Sequence, residues 1–323
     1  MQLSILDQSP VLGSGGARRA IEETLALARR ADELGFHRYW LAEHHAIAAL
    51  ADPCPEVLLA RLGAETRRIR VGTGGVLLPY YSAFRVAETF RMLEALYPGR
   101  VDLGVGRAPG GDARTAQAVA GGGFPDASHF PQQMWELTAL LENEHRPVRL
   151  QPEVETVPEV WLLGSSDYSG ALAAELGLPF AFAHFINPRG GDMVSRLYRE
   201  NFKPNGRRAQ ARVIVCTFAI VAATDEEAER LAAPIDLRRL HMALNIDSPV
   251  PTAEEAAAHR YSDEERRYVL SQRPRAVIGG PEKAKRELKE MVERYGADEL
   301  MVLTITGDYE SRRRSYELLI DAF

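Results

Sequence analysis

Eight short apolar runs, each followed by a longer amphipathic stretch within 323 residues, predict an α/β chain closed into a parallel (β/α)8 barrel. The runs break off at loops rich in Gly, Pro, Ser, Asp or His, which is where a barrel strand opens onto its mouth. An open doubly wound sheet shares this alternation, but it would carry GxGxxG after its first strand, and Ser14-Gly15-Gly16 does not match.

Leu3–Leu6 is the first strand and stops at Asp7-Gln8-Ser9-Pro10. Arg18–Leu34 repeats Ile21, Leu25 and Ala28 at three and four, so it reads as a helix that Gly35 ends. Tyr39–Ala42 is the second strand and runs into Glu43-His44-His45, and Pro55–Arg67 is helical. Ile69–Leu78, with Gly72, Gly74 and Gly75 inside it, is the third strand. A helix over Ser82–Tyr97 closes at Pro98-Gly99, and Val101–Val105 leads into Gly106-Arg107-Ala108-Pro109-Gly110-Gly111. A helix across His129–Asn143 precedes Val160–Leu163, which opens on Gly164-Ser165-Ser166. A helix to Leu176, Pro179–Ala183, Gly191–Phe202 and Val213–Val221 continue the alternation through the seventh strand. Glu282–Arg294, Leu300–Ile305 as the eighth strand and a helix over Tyr309–Ala322 complete it. The stretch before Glu282 exceeds one crossover, so 234–275 reads as a helical insertion or lid within a single domain spanning 1–323.

The chain is 46% hydrophobic, 26% charged and 8% aromatic, which excludes a disordered tail, a fibrous repeat and a disulfide-stapled miniature. Its 39 basic against 45 acidic residues leave a net charge of −6, without the basic footprint of a nucleic-acid binder. Cys54 and Cys216 form no CxxC pair, and no apolar run approaches the ~20 residues of a membrane helix. Met1-Gln2-Leu3-Ser4 does not read as a signal peptide, so a soluble cytoplasmic protein is expected.

Four strand ends carry unusual residues. At Glu43-His44-His45, neighbours point to opposite faces, so at most one histidine faces the mouth; a metal would need a third ligand that the spacing of His129, His145 and His184 does not favour. Gly72-Thr73-Gly74-Gly75 suits a bulge or a close approach to the backbone. Arg107, just past a strand, suits an anion, unless it pairs with Asp102 or Asp112. Gly164-Ser165-Ser166-Asp167-Tyr168 opens a helix whose unpaired N–H groups could cradle a phosphate, unless Ser165 or Ser166 is simply its N-cap.

Taken in order, Leu6-Asp7-Gln8-Ser9-Pro10, Trp40–His45, Val71–Pro79, Gly99–Arg107, Leu163–Ser166, Ala174–Pro179 and Asp298–Val302 resemble the bacterial luciferase-like flavin-dependent monooxygenases, in the single-chain alkanal-monooxygenase-like subgroup. The resemblance implies a TIM barrel that takes reduced FMN from a separate flavin reductase. Oxygen and that flavin would form a hydroperoxide that oxidises a small organic substrate such as an aldehyde or ketone. It implies His44 as the catalytic histidine, and Ala42, Gly74, Gly75, Arg107, Gly164, Ser165, Ser166 and Tyr168 as cofactor-binding residues, with no metal. It also implies a non-prolyl cis peptide between Gly74 and Gly75 beneath the flavin ring.

The chain departs from the luciferases at Gly106, where they carry a reactive cysteine, at Gly164, where they carry an acid, and at Gly74-Gly75, where they carry alanines. Glycine at these three sites is expected to open the pocket. A deazaflavin-dependent hydride-transfer enzyme and a non-catalytic flavin-binding protein are the alternative functions on the same fold. The family's habit implies a homodimer through the helices after the second and third strands. Val57, Leu58, Leu59, Leu62, Phe84, Phe90, Met92 and Leu93 are the apolar residues expected to supply that face beyond the needs of the core.

Overall fold

The computed structural model describes residues 1–107, 111–123, 125–142 and 148–323, with Ser14 described by its backbone only. Ala108-Pro109-Gly110, the end of the expected helix at Asn143, and His145 lie outside the described residues.

Strands β1 (Gln2–Asp7), β2 (Arg38–Leu41), β3 (Arg70–Leu77), β4 (Val101–Gly106), β5 (Glu159–Gly164), β6 (Phe180–Ala183) and β7 (Val213–Val221) follow one another in parallel. β8 (Ala276–Gly279) and β9 (Glu299–Leu303) complete the set. β7 pairs with both β6 and β9, and β9 pairs with β1, so eight strands close into the expected barrel. β1 to β7 and β9 are the barrel strands. β8 is a ninth strand that the apolar runs did not announce. It borders only the upper half of β7, from Phe218 to Val221, where β7 has outrun β9.

The helices are α1 (Gly16–Leu34), α2 (Pro55–Glu65), α3 (Ala83–Leu96), α4 (Ala113–Val119), α5 (Phe130–Leu141), α6 (Asp167–Glu175) and α7 (Gly191–Asn201). After β7 come α8 (Asp225–Ala243), α9 (Ala253–Ala258) and α10 (Asp263–Gln272), then α11 (Pro281–Tyr295) and α12 (Tyr309–Ala322). α8 corrects the expected insertion boundary, because it starts nine residues before Pro234 and carries that proline inside it. A proline costs a helix one N–H bond, yet Thr224 caps the start by accepting from Glu227 N, and Pro234 is buried.

Charge closes the lower end of the barrel. The wholly buried Arg38 guanidinium donates to Asp102 (2.8 Å) and Glu299 (2.8 Å), and Arg70 reaches the other oxygen of Asp102 at 2.5 Å. The Trp40 indole donates to the same carboxylate at 2.9 Å. A buried ion cluster holds only when every charge is met, as here, and this one fixes Trp40 from below.

Candidate active site

The carboxyl ends of the strands surround a cavity of about 650 Å³, within the size range of small-molecule sites. Ala42, His44, Gly74, Gly75, Arg107, Gly164, Ser165, Ser166 and Tyr168 all line it. Residues spread over more than 120 positions of sequence thus share one chamber because each lies in the carboxyl half of a barrel strand or just past its end.

At the end of β2 the two histidines part. His44 lines the cavity, with its Nδ1 buried and, among the described residues, without a hydrogen-bond partner. His45 turns away, its Nε2 2.7 Å from Glu43 Oε1. The buried Glu43 carboxylate also accepts from Leu77 N (2.9 Å) and the Tyr81 hydroxyl (2.6 Å), which ties β2 to β3. Burial pushes the His44 imidazole down to about 4; the Arg238 and His45 charges act the same way, and the Ala42 carbonyl opposes them. The ring is therefore neutral at neutral pH, able to accept or share a proton but not to carry a standing charge.

β3 and β4 approach too closely for side chains. A Cβ on Gly75 would sit 2.6 Å from the Gly104 carbonyl oxygen. The Gly74–Gly75 peptide is cis, as the resemblance implied, and the β3–β4 register shifts at the same place, so the ladder is irregular there as well. The glycines do not open the pocket in the way expected. At Gly74 a Cβ would meet Leu6, and at Gly164 it would fall on Ser169; only at Gly106 is there room, the nearest atom being Leu77 Cδ2 at 3.8 Å. Close packing is what Gly74, Gly75 and Gly164 serve.

Arg107 is exposed at the end of β4 and, among the described residues, forms no ion pair. Asp102 is taken by Arg38 and Arg70, and Asp112 caps α4. Instead the Arg107 guanidinium lies 4.5 Å from the centroid of the Tyr168 ring, which brings the β4 and β5 ends together. Ser166 is the N-cap of α6, in a reciprocal box with Ser169, so the plain N-cap reading holds for its hydroxyl. Ser165 is left outside that box; its backbone carbonyl accepts from Asn187 at 3.0 Å.

A family model for luciferase-like monooxygenases matches residues 1–299. The chain belongs to that family. It is similar to a luciferase-like monooxygenase of Escherichia coli K12 (37% identity, covering 98% of this chain and 96% of that one). It is 35% identical to an N-acetyl-S-alkylcysteine monooxygenase of Bacillus subtilis, covering 100% and 98%. The crystal structure of apo-MsnO8 superposes with a TM-score of 0.94 at 38% identity, covering 100% and 98%. Two more distant structures share the fold alone. One is the oxygenating constituent of 3,6-diketocamphane monooxygenase in complex with FMN (TM-score 0.72, 18% identity, 100% and 97%). The other is an F420-dependent secondary alcohol dehydrogenase (0.65, 16%, 99% and 98%). The protein is thus an enzyme of the monooxygenase type. No described helix is long and apolar enough to cross a membrane.

Sequence reasoning passed over several groups in this luciferase-like monooxygenase. Gln8, Trp40, Glu43, Phe185, Ile186 and Cys216 line the cavity as well. For Gln8 and Glu43 the signal was present, since both stand at strand ends beside residues that were chosen. Asp7, the residue before Gln8, is held by a network no local pattern shows: Arg312 on α12 reaches the wholly buried Asp7 at 2.6 Å, Asp7 accepts from Ser9 N at 2.8 Å, and Tyr39 donates to its second oxygen. Among the described residues no group of three His, Cys, Asp or Glu is placed to hold a metal.

Behind His44, Asp52 is buried, with Oδ1 accepting from Cys54 N at 3.1 Å and Oδ2 unpartnered. Burial, with the like charges of Asp7, Glu56 and Glu43, pushes its carboxyl up to about 7. Between the ordinary carboxylate range near 4 and about 7 the folded chain keeps a proton that the unfolded chain releases, so this stabilisation is lost as pH rises. Asp52→Asn, which mimics the neutral acid, is expected to gain in melting temperature relative to wild type from pH 5 to pH 8. A difference that stays constant with pH would show that Asp52 ionises normally.

Proposed function

We propose that this enzyme is a flavin-dependent monooxygenase that takes reduced FMN from a separate reductase and uses O2 to oxidise a small organic substrate such as an aldehyde or ketone. The observation that carries it is Arg107, without an ion pair among the described residues, stacked on Tyr168 beside Ser165, on the same cavity as His44 and the Gly74–Gly75 peptide. The residues fit a flavin phosphate and ring. Arg107 offers a two-pronged cation, the Ser165 hydroxyl stands free of the α6 cap, and the backbone at Gly74–Gly75 presents no side chain to a flat ring. Bound and reduced, FMN would supply the electrons that activate O2.

The chain's own part is then threefold. Arg107 and Ser165 hold the phosphate at one end. Ala42, Gly74 and Gly75 shape the ring's bed. The neutral His44 holds or passes a proton at its buried, unpartnered Nδ1. Titrating FMN and a deazaflavin separately against tryptophan fluorescence tests the cofactor, because Trp40 lines the cavity. FMN binding with product from an aldehyde and ketone screen, coupled to a flavin reductase, is the expected result. Tight binding of the deazaflavin alone would shift the reading to hydride transfer, and flavin binding without turnover on any substrate would leave a flavin carrier.

We also propose a homodimer through α2 and α3, though on a narrower face than the sequence indicated. Leu59, Leu62, Phe90 and Leu93 are all but fully buried in the barrel's own core. Val57 (70% exposed) and Met92 (55%) remain well exposed, and Leu96 (53%), which the sequence reading did not name, joins them along a groove of about 810 Å³ between the two helices. Light scattering at micromolar concentration is expected to give twice the 35.8 kDa chain mass. The monomer mass would overturn it, and so would a dimer that survives Val57→Asp with Met92→Asp.

A further inference from the structure

Gln8 follows β1, is half-buried and lines the same cavity as His44. Among the described residues its side-chain amide forms no hydrogen bond, so an NH2 donor and a carbonyl acceptor are left to whatever enters. The pleat of the strands explains its direction. Leu6 pairs with Trp40 and Asp7 with Leu41, and on each strand it is every second residue that lines the cavity, Leu6 and Gln8 on one, Trp40 and Ala42 on the other. Gln8 therefore stands one layer above Leu6 and level with Ala42.

The backbone carrying Gln8 is held on both sides. Ala42 N donates to the Asp7 carbonyl at 3.0 Å, and the Asp7 carboxylate is met by Arg312, Tyr39 and Ser9 N. Ser9 has a φ of 48°, in the left-handed region that a residue with a side chain rarely adopts. Ala51 N on its carbonyl (2.9 Å) and the Thr24 hydroxyl on its Oγ (3.1 Å) keep it there. Strain of this kind costs free energy and persists where the surroundings over-determine it, as they do at many functional sites. Here it fixes the path of the chain as it leaves Gln8.

What surrounds Gln8 defines what it can hold. In the ring of eight strands β1 and β5 stand four apart by either route, so Gln8 lies across the mouth from the Ser165 turn. The wall from β6 through β7 and β9 to β1 is apolar, lined by Ala183, Phe185, Cys216, Met301 and Leu6. Among the described residues Gln8 carries the only amide or hydroxyl on that wall. The nearby charges are spent, Asp7 on Arg312, and Glu43 on Leu77 N, Tyr81 and His45. A neutral amide at the edge of an apolar wall is matched by an uncharged molecule that carries one hydrogen-bond acceptor.

We propose that Gln8 is a substrate-recognition residue, whose side-chain N–H donates to the carbonyl oxygen of an uncharged substrate while the apolar remainder lies along the Phe185–Met301 wall. The assignment rests on the monooxygenase reading of the cavity and narrows its substrate class to neutral carbonyl compounds. Carboxylates are disfavoured, because among the described residues no cation lines this wall.

The test titrates the flavin-free full-length protein by calorimetry with 2-hexanone and with 2-methyl-1-hexene, which replaces C=O by C=CH2 and keeps the shape. The infrared carbonyl stretch of isotope-labelled 2-hexanone reports the hydrogen bond directly, and is expected at lower frequency on wild type than in hydrocarbon solvent. In Gln8→Met, ketone affinity is expected to fall roughly 3–10-fold, the loss of one net hydrogen bond, and the stretch to return toward its hydrocarbon value. Alkene affinity is expected to hold or rise, and Gln8→Asn to fall between. Because the amide has no protein partner to lose, Gln8→Met is expected to melt at or above the wild-type temperature. An unshifted stretch on wild type, equal losses for ketone and alkene in Gln8→Met, or a variant that melts well below wild type would each overturn the proposal. FMN is titrated against the same proteins. A loss of FMN affinity in Gln8→Met would overturn the proposal by placing the amide on the flavin, whereas FMN that fails to bind wild type would sink the flavin assignment and leave the carbonyl result standing.

Discussion

His44→Ala is expected to bind FMN nearly as wild type does and to lose product formation by roughly 10²–10⁴-fold, the range of a positioned acid–base group. The separation follows from the layout of the cavity. His44 follows β2, whereas the proposed phosphate grip follows β4 and β5, so removing one leaves the other in place. The imidazole is suited to the task by its environment. Burial holds it near 4 rather than its ordinary 6.5, so it stays neutral through the physiological range with Nδ1 open. Wild-type turnover is therefore expected to show no break near pH 6.5 that disappears in His44→Ala. Such a break would mean that the ring titrates like an exposed histidine. The same lowering costs stability on the acid side, because from about 6.5 down to about 4 the unfolded chain binds a proton that the folded chain does not. Melting temperatures of wild type and His44→Ala should converge, or cross in the variant's favour, as pH falls from 7 to 4. Turnover unchanged in the variant would make His44 structural.

What could be read from the sequence, and what could not, divides along local against distant information. Strands such as Val213–Val221 and Val101–Gly106 announce themselves, because a parallel strand buried on both faces is one apolar run. The site residues were legible for a related reason. Each lies in the carboxyl half of a strand or just past it, and a barrel gathers strand ends into one place. β8 was not legible, since Ala276–Gly279 is four residues long and exists only as a partner for the upper half of β7. The start of α8 was missed because Pro234 looks like a boundary and is instead carried inside a helix capped by Thr224. The dimer face was overcounted for the same reason of distance. A run such as Val57-Leu58-Leu59 does not say which of its residues the barrel will consume, and only Val57 is left well outside.

Arg107→Ala is expected to weaken FMN binding by roughly 10–100-fold, the loss of one charge-assisted hydrogen bond worth ~1.5–3 kcal/mol, while riboflavin affinity hardly changes. The argument turns on what Arg107 does without ligand. Asp102 and Asp112 are committed elsewhere, so among the described residues no carboxylate neutralises it, and the face of Tyr168 holds it 4.5 Å away in a fixed direction. A cation kept ready in this way pays little ordering entropy when a phosphate arrives. Arg107→Lys, which keeps the charge and loses the planar fork, is expected to fall between wild type and alanine. Tyr168→Ala is expected to weaken FMN binding by a smaller factor, because the charge stays and only its direction is lost. Raising the salt concentration should reduce FMN affinity in wild type and have little effect in Arg107→Ala, as for an exposed charge pair. Equal losses for FMN and riboflavin in Arg107→Ala would show that the arginine supports the ring or the fold, and the phosphate would then have to be sought at another strand end.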